Sequence, residues 1–227
     1  MDIKNLILII IAALNFFIGL VILLRNYKSK VNWSFSLLLF SVVFWSISLA
    51  ISREAAISPF AIFWSKSAYY SSAFIAFFLL WFSFAFPYKR KNINIITKLF
   101  IWTPSLIILA ILLKGNLLIK GLEIRDWGYD VQFGHFWYWI YSIYILFFFI
   151  WAYYNIWKSY LISSGFNRLQ LKFILIGLLL AGVFGIVFDL LLPYFGNWKL
   201  NWLGPYFSIL VLFSTSYLIF YKPNKQN

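Results

Sequence analysis

Seven stretches of about twenty apolar residues constrain this chain more than anything else in it. They run over 6–24, 33–51, 68–86, 95–113, 136–157, 173–192 and 203–221. A helix needs roughly 20 such residues to cross a hydrocarbon core about 30 Å thick. In lipid every backbone polar group must find a partner within the protein, so only helices and closed barrels span. The regular alternation and turn spacing of a transmembrane barrel do not occur here. Lys98 and Pro104 interrupt the fourth stretch, but a lysine near an end snorkels to the interface and a proline in a membrane helix is tolerated as a kink. The expectation is an all-α fold: a polytopic membrane protein in which residues 1–227 form a single bundle of seven transmembrane helices.

Composition leaves no alternative class. Only 11% of residues are charged, 63% are hydrophobic, and the mean hydropathy is +0.86. Soluble domains carry about 25% charged residues, so a soluble enzyme and a disordered chain are excluded. A net charge of +13 suggests nucleic acid at first glance; in a membrane protein it reads as an orientation signal instead. There is no cysteine and one histidine, His135, which removes thiolate catalysis, disulfides and Cys-ligated metals and leaves little for any other metal centre. No cofactor is expected. The first apolar stretch, broken only by Asn15, is too long for a signal peptide and lacks a small-residue cleavage site, so it reads as a retained span.

The basic residues set the orientation. Arg25, Lys28, Lys30, Lys89, Arg90, Lys91, Lys98, Lys158, Arg168, Lys172, Lys222 and Lys225 fall on one side with no acid among them. Lys4, Arg53, Lys66, Lys114, Lys120, Arg125 and Lys199 share the other side with Asp2, Glu54, Glu123, Asp126 and Asp130. The positive-inside rule then places the N-terminus outside and the C-terminus inside. The longest connection, 114–135, lies outside; its alternating apolar residues and its glycines at 128 and 134 predict a short β-hairpin or ordered lid between helices 4 and 5.

Few residues can carry chemistry. Asp189 is the one acid inside a span, in the outer half of the sixth, and it reads either as a ligand anchor, cation site or proton-responsive group, or as a cap or inter-helix hydrogen bond. Gly177, Gly182 and Gly185 on the same helix allow close packing or leave room for a ligand. Trp64, Tyr69, Tyr70, Trp127, Tyr129, Trp137, Tyr138, Trp139, Tyr141, Tyr194, Trp198 and Trp202 crowd the outer ends; most fit an aromatic belt at headgroup level. Tyr69, Ser72, Trp137 and Tyr141, with Asp189, are expected to line an outward-facing pocket for a small hydrophobic or amphipathic molecule. Asn15 is expected to hydrogen-bond a neighbouring helix. Arg25, Lys28, Lys30, Lys89, Arg90 and Lys91 are expected to meet anionic inner-leaflet lipid or a cytoplasmic partner. A retinal protein is excluded because the seventh span has no lysine for a Schiff base, and no acidic–Arg–Tyr triplet ends the third span as in eukaryotic G-protein-coupled receptors. No phosphate-cradling loop or nucleophile–His–acid set can be assembled, so no enzymatic activity is expected.

From Asn15 to Tyr221 the chain resembles the N-terminal seven-helix sensor region of bacterial and archaeal membrane histidine kinases. The resemblance rests on Asn15 with Gly19, Asn32 with Phe35, Trp45, Phe63–Trp64, the FAFP of 84–87, the RLQ of 168–170, the LLP of 191–193 and the LGP of 203–205. It implies a multi-pass protein of a prokaryotic plasma membrane that senses a ligand or the bilayer. Family members usually continue into a kinase, whereas this chain ends six residues after Tyr221, so output is expected through a separate cytoplasmic signalling protein, such as a kinase in trans. Membrane lipids, an unidentified small ligand and a second copy of the chain as a homodimer complete the expected partners; nucleic acid is not among them. A small-solute transporter or permease, and a lipid-binding protein without switching, are the competing readings.

Overall fold

The computed structural model describes residues 2–54, 60–87, 93–114, 116–125, 128–207 and 216. Six helices in it are long and apolar enough to span a membrane: α1 (Ile3–Arg25), α2 (Lys30–Glu54), α3 (Phe60–Ala85), α4 (Ile95–Leu113), α5 (His135–Ile162) and α6 (Gly165–Tyr194). Residues 203–207 and 216 are also helical; the rest of the seventh expected span, with Lys222 and Lys225, lies outside the described residues. So do Lys89, Arg90, Lys91, Asp126 and Trp127.

The helices overrun the apolar stretches at several ends. α3 begins at Phe60 rather than 68, α5 covers 135–162 rather than 136–157, and α6 covers 165–194 rather than 173–192. A hydropathy window stops where polar side chains begin, but each further residue adds a backbone hydrogen bond, and the helix runs on into the interface until something ends it. Side-chain caps mark two starts: Asp2 accepts from the Lys4 N–H at the head of α1, and Asn94 from the Thr97 N–H (2.8 Å) at the head of α4.

α1 packs on α2, α2 on α3, α3 on α5 and α5 on α6, with α3 and α5 running parallel, while α4 lies at the periphery against α3 and α5. Lipid is as apolar as leucine, so burial of apolar surface does not drive the helices together; close packing of small residues and polar bonds across helices do. α2, the most enclosed helix, illustrates this. It buries Ser34, Ser36, Ser41, Ser46, Ser48 and Ser52. The Ser36 hydroxyl donates to the Gly19 carbonyl (2.9 Å) and Asn32 Nδ2 to the Ile22 carbonyl (2.7 Å), tying α2 to α1. On the far side of α2, Phe35 packs on Phe82 of α3 with ring centroids 5.2 Å apart. Asn15 behaves differently from expectation. Its Nδ2 donates to the Ile11 carbonyl of its own helix (2.9 Å), and its buried Oδ1 has no partner; the close approach of α2 comes one turn on, at Gly19, where a Cβ would meet Phe40 and Leu39.

The long connection is a hairpin. β1 (Ile119–Arg125) pairs antiparallel with β2 (Gly128–Phe133), with Leu122 opposite Val131 and Ile124 opposite Tyr129. The bundle is therefore helical with one small two-stranded sheet, at the end of the molecule that holds the C-terminus of α2 and the N-termini of α3 and α5. Arg125 clamps the hairpin through Asp130 (2.8 Å) and Glu123 (3.0 Å). Tyr129, Val131 and Phe133 are buried against the helices, while Glu123, Ile124 and Arg125 are exposed.

Candidate functional site

Beneath the hairpin, α2, α3, α5 and α6 part around a cavity of about 150 Å³. Its upper wall includes Ser52, Ser65, Tyr129, Trp198 and Asn201, and it reaches down to Val42, Ile75 and Phe149. Most of the surface is aliphatic or aromatic. Among the described residues lining it, Asp189 is the single carboxylate, and no lysine, arginine or histidine joins it.

Local chain structure explains why there is space and why Asp189 faces it. Residues Ile186–Leu191 are wound as a π-helix, with Leu192 donating five residues back to the Val187 carbonyl. Pro193 has no N–H for the Asp189 carbonyl four residues behind it, so the α-helical register cannot be completed there. A single π turn is a rare way for a helix to absorb such a fault, and it often sits at a functional site. The freed turn is held from outside: the Tyr138 hydroxyl of α5 donates to the Leu190 carbonyl at 2.7 Å. Gly182 and Gly185 lie on the same wall. A Cβ on Gly182 would run into the Phe149 ring, whereas one on Gly185 would meet nothing within 4 Å. The first glycine lets α5 approach and the second leaves room.

One oxygen of the carboxyl group is enclosed. Asp189 Oδ2 is buried and makes no hydrogen bond. Gly204, at the start of the seventh span, lies against it so closely that a Cβ there would clash with the oxygen and with the Trp45 ring. Tyr69 and Tyr141 form the neighbouring wall, their rings edge to face at 5.3 Å. The Tyr141 hydroxyl donates to the Tyr69 carbonyl (3.2 Å), and the Ser72 hydroxyl to the Ala68 carbonyl (3.0 Å). Trp198 packs edge-on to Tyr69 at 6.3 Å, and its indole N–H is a second buried polar group without a partner.

Of the five residues expected to form a pocket, Tyr69, Ser72, Tyr141 and Asp189 line this one cavity. Trp137 does not: it lies on α5 beside Phe136, partly buried against the core. The aromatic-belt reading needs a matching revision. Trp139 is exposed as a belt residue would be, but Tyr69, Tyr129, Tyr138, Tyr141 and Trp198 are buried and pack on one another around the cavity and hairpin. An aromatic near a span end has the same sequence signature in either role; only the neighbouring helices separate them. Trp45, Ser52, Ser65 and Gly204 also belong to the cavity, and hydropathy alone gives no sign of them, although Trp45 and Gly204 fall within the family-like motifs.

At the hairpin end, Tyr129 closes the cavity. Ser65 donates to its hydroxyl at 3.0 Å. Burial pushes the Tyr129 hydroxyl above the ordinary tyrosine value, while hydrogen bonds with Ser52 and Ser65 and the Arg53 charge oppose the rise. Arg53 in turn donates to Asn5 (3.2 Å) and Asn201 (2.9 Å), joining the start of α1, the end of α2 and the segment before the seventh span. At the opposite end, Arg25, Lys28 and Lys30 are all exposed at the α1–α2 turn.

A family model described as the N-terminal 7TM region of histidine kinase matches residues 7–221. No curated protein and no solved structure matches the chain.

Proposed function

Because the chain belongs to the family of N-terminal seven-transmembrane regions of histidine kinases, a signal-input rather than a catalytic domain, we propose that it senses a small hydrophobic or amphipathic molecule in the cavity beneath the hairpin. The observation that carries this reading is one cavity lined by four helices, with an unpaired carboxylate oxygen on its wall. A molecule held there touches α2, α3, α5 and α6 together. Any difference in its affinity for two arrangements of those helices shifts the balance between them by that difference and no more.

The shift has a route to the opposite face. α3 and α5 are joined along their length by polar bonds: Tyr141 to the Tyr69 carbonyl, Tyr144 to the Ala73 carbonyl (3.2 Å), and Asn155 to the Ser83 hydroxyl (3.0 Å). The last of these lies near the basic end of the bundle. There Arg25, Lys28 and Lys30 meet anionic lipid or a cytoplasmic signalling protein such as a kinase, in a prokaryotic plasma membrane; Lys89, Arg90 and Lys91, which follow α3 in the sequence, are given the same role. Photocrosslinking from position 28 in native membranes tests this. A captured kinase or other signalling protein is the expected product. Capture of lipid and the chain itself alone, together with solute counterflow in proteoliposomes that depends on Asp189, would replace the sensor with a transporter.

A further inference from the structure

We propose that the cavity takes a small organic ammonium ion with an apolar body, its N–H groups on the Asp189 carboxylate and its carbon skeleton against the aromatic walls. The inference rests on the sensor reading and narrows its ligand. Three observations carry it. First, Asp189 Oδ2 is buried and unpaired, and no cationic side chain lies among the described residues lining the cavity; a buried carboxylate left this way is costly unless a proton or a bound cation neutralises it. Second, the walls do not suit a metal ion. A hard cation wants several oxygen ligands at once, and no group of three or more His, Cys, Asp or Glu residues occurs among those described. An ammonium needs one carboxylate, and Trp45, Tyr69 and Tyr141 in the lining are rings of the kind that attract a cation as well. Third, the size is right for a compact molecule: a cavity of about 150 Å³ is comparable with one that holds a benzene ring, or about six to eight non-hydrogen atoms. The unpaired Trp198 N–H is a donor and gives nothing to an ammonium, so the charged end belongs at Asp189.

The test uses the full chain in lipid nanodiscs and isothermal titration with n-hexylamine, 1-hexanol and pentanoate, near-isosteres that differ in charge, with empty nanodiscs as the blank. Hexylamine is expected to bind about tenfold or more tighter than hexanol, as suits a hydrogen bond to a charged group, and pentanoate not at all. Asp189→Asn is expected to bring hexylamine down to the level of hexanol. Equal affinity for amine and alcohol in the native chain would overturn the ammonium assignment and leave a neutral-ligand sensor standing. Unchanged hexylamine binding by a folded Asp189→Asn protein would overturn Asp189 as the anchor. If none of the three probes binds, the ammonium proposal falls, whereas the sensor reading falls only on the crosslinking and counterflow results. The comparison among probes is made on the native protein, so it holds even if the variant does not fold.

Discussion

Gly204 and Asp189 determine each other's surroundings. The glycine has no side chain where the carboxylate oxygen lies, and any larger residue must displace either the seventh span or the acid. Gly204→Ala is therefore expected to lower stability by about 1–3 kcal/mol, the usual cost of overpacking a well-filled site, seen as earlier thermal unfolding in nanodiscs. A variant as stable as the parent would mean that Asp189 turns away at no cost and is not held in the cavity wall. Tyr129 allows a gentler test at the hairpin. Tyr129→Phe removes the hydroxyl that Ser65 donates to and leaves two buried serines, Ser52 and Ser65, without it, at a cost of about 1–3 kcal/mol. Pairing it with Ser65→Ala should recover part of that loss, because removing both partners of a buried bond costs less than removing one. Additive losses in the double variant would show that the bond contributes nothing.

Among the elements, the sixth helix departs furthest from ideal geometry, and the departure has a residue-level cause in Pro193. Pro193→Ala supplies the missing donor for the Asp189 carbonyl and lets Ile186–Leu191 relax toward α-helical winding. One residue of register is about 100° of rotation, enough to carry Asp189 off the cavity wall. Hexylamine affinity should then fall by about tenfold, as for Asp189→Asn, with the far-ultraviolet circular dichroism unchanged; retained affinity would show that the π turn is not what aims the acid. The α1–α2 pair is held differently, by Asn32 on the Ile22 carbonyl. Bonds of this kind are worth about 0.6–2 kcal/mol in lipid, and Asn32→Leu should cost that much by unfolding in mixed micelles. These two elements also show what sequence can and cannot convey. Span positions were legible because twenty apolar residues have few other uses, and α4 falls at 95–113 as read. The π turn was not, although Pro193 was visible, because a proline near a span end ends a helix as readily as it re-registers one. Tyr69, Ser72 and Tyr141 could be grouped with Asp189 because all lie near one end of their spans, but the same reasoning admitted Trp137, which sits on α5 close to Tyr138 and outside the cavity. Depth along a helix is written in the sequence; rotation about its axis, in a helix apolar on every side, is not.

At the scale of the whole molecule, the hairpin and the α1–α2 turn lie at opposite ends of the bundle, and the charge distribution separates along the same axis. Arg25, Lys28 and Lys30 crowd the turn without an acid, whereas Glu123, Arg125 and Asp130 at the hairpin form ion pairs among themselves. Lys and Arg are what hold a loop on the cytoplasmic side, and acids count for little in that sorting, so the basic α1–α2 turn is expected inside and the hairpin outside. The cavity lies at the hairpin end of the bundle, so orientation also decides which side of the membrane it is nearer. The chain contains no cysteine, which makes single reporters unambiguous. In intact cells a membrane-impermeant maleimide should label Glu123→Cys and leave Lys28→Cys untouched until the membrane is opened, both positions being exposed. The reverse pattern would put the hairpin, and the end of the bundle that holds the cavity, on the cytoplasmic side.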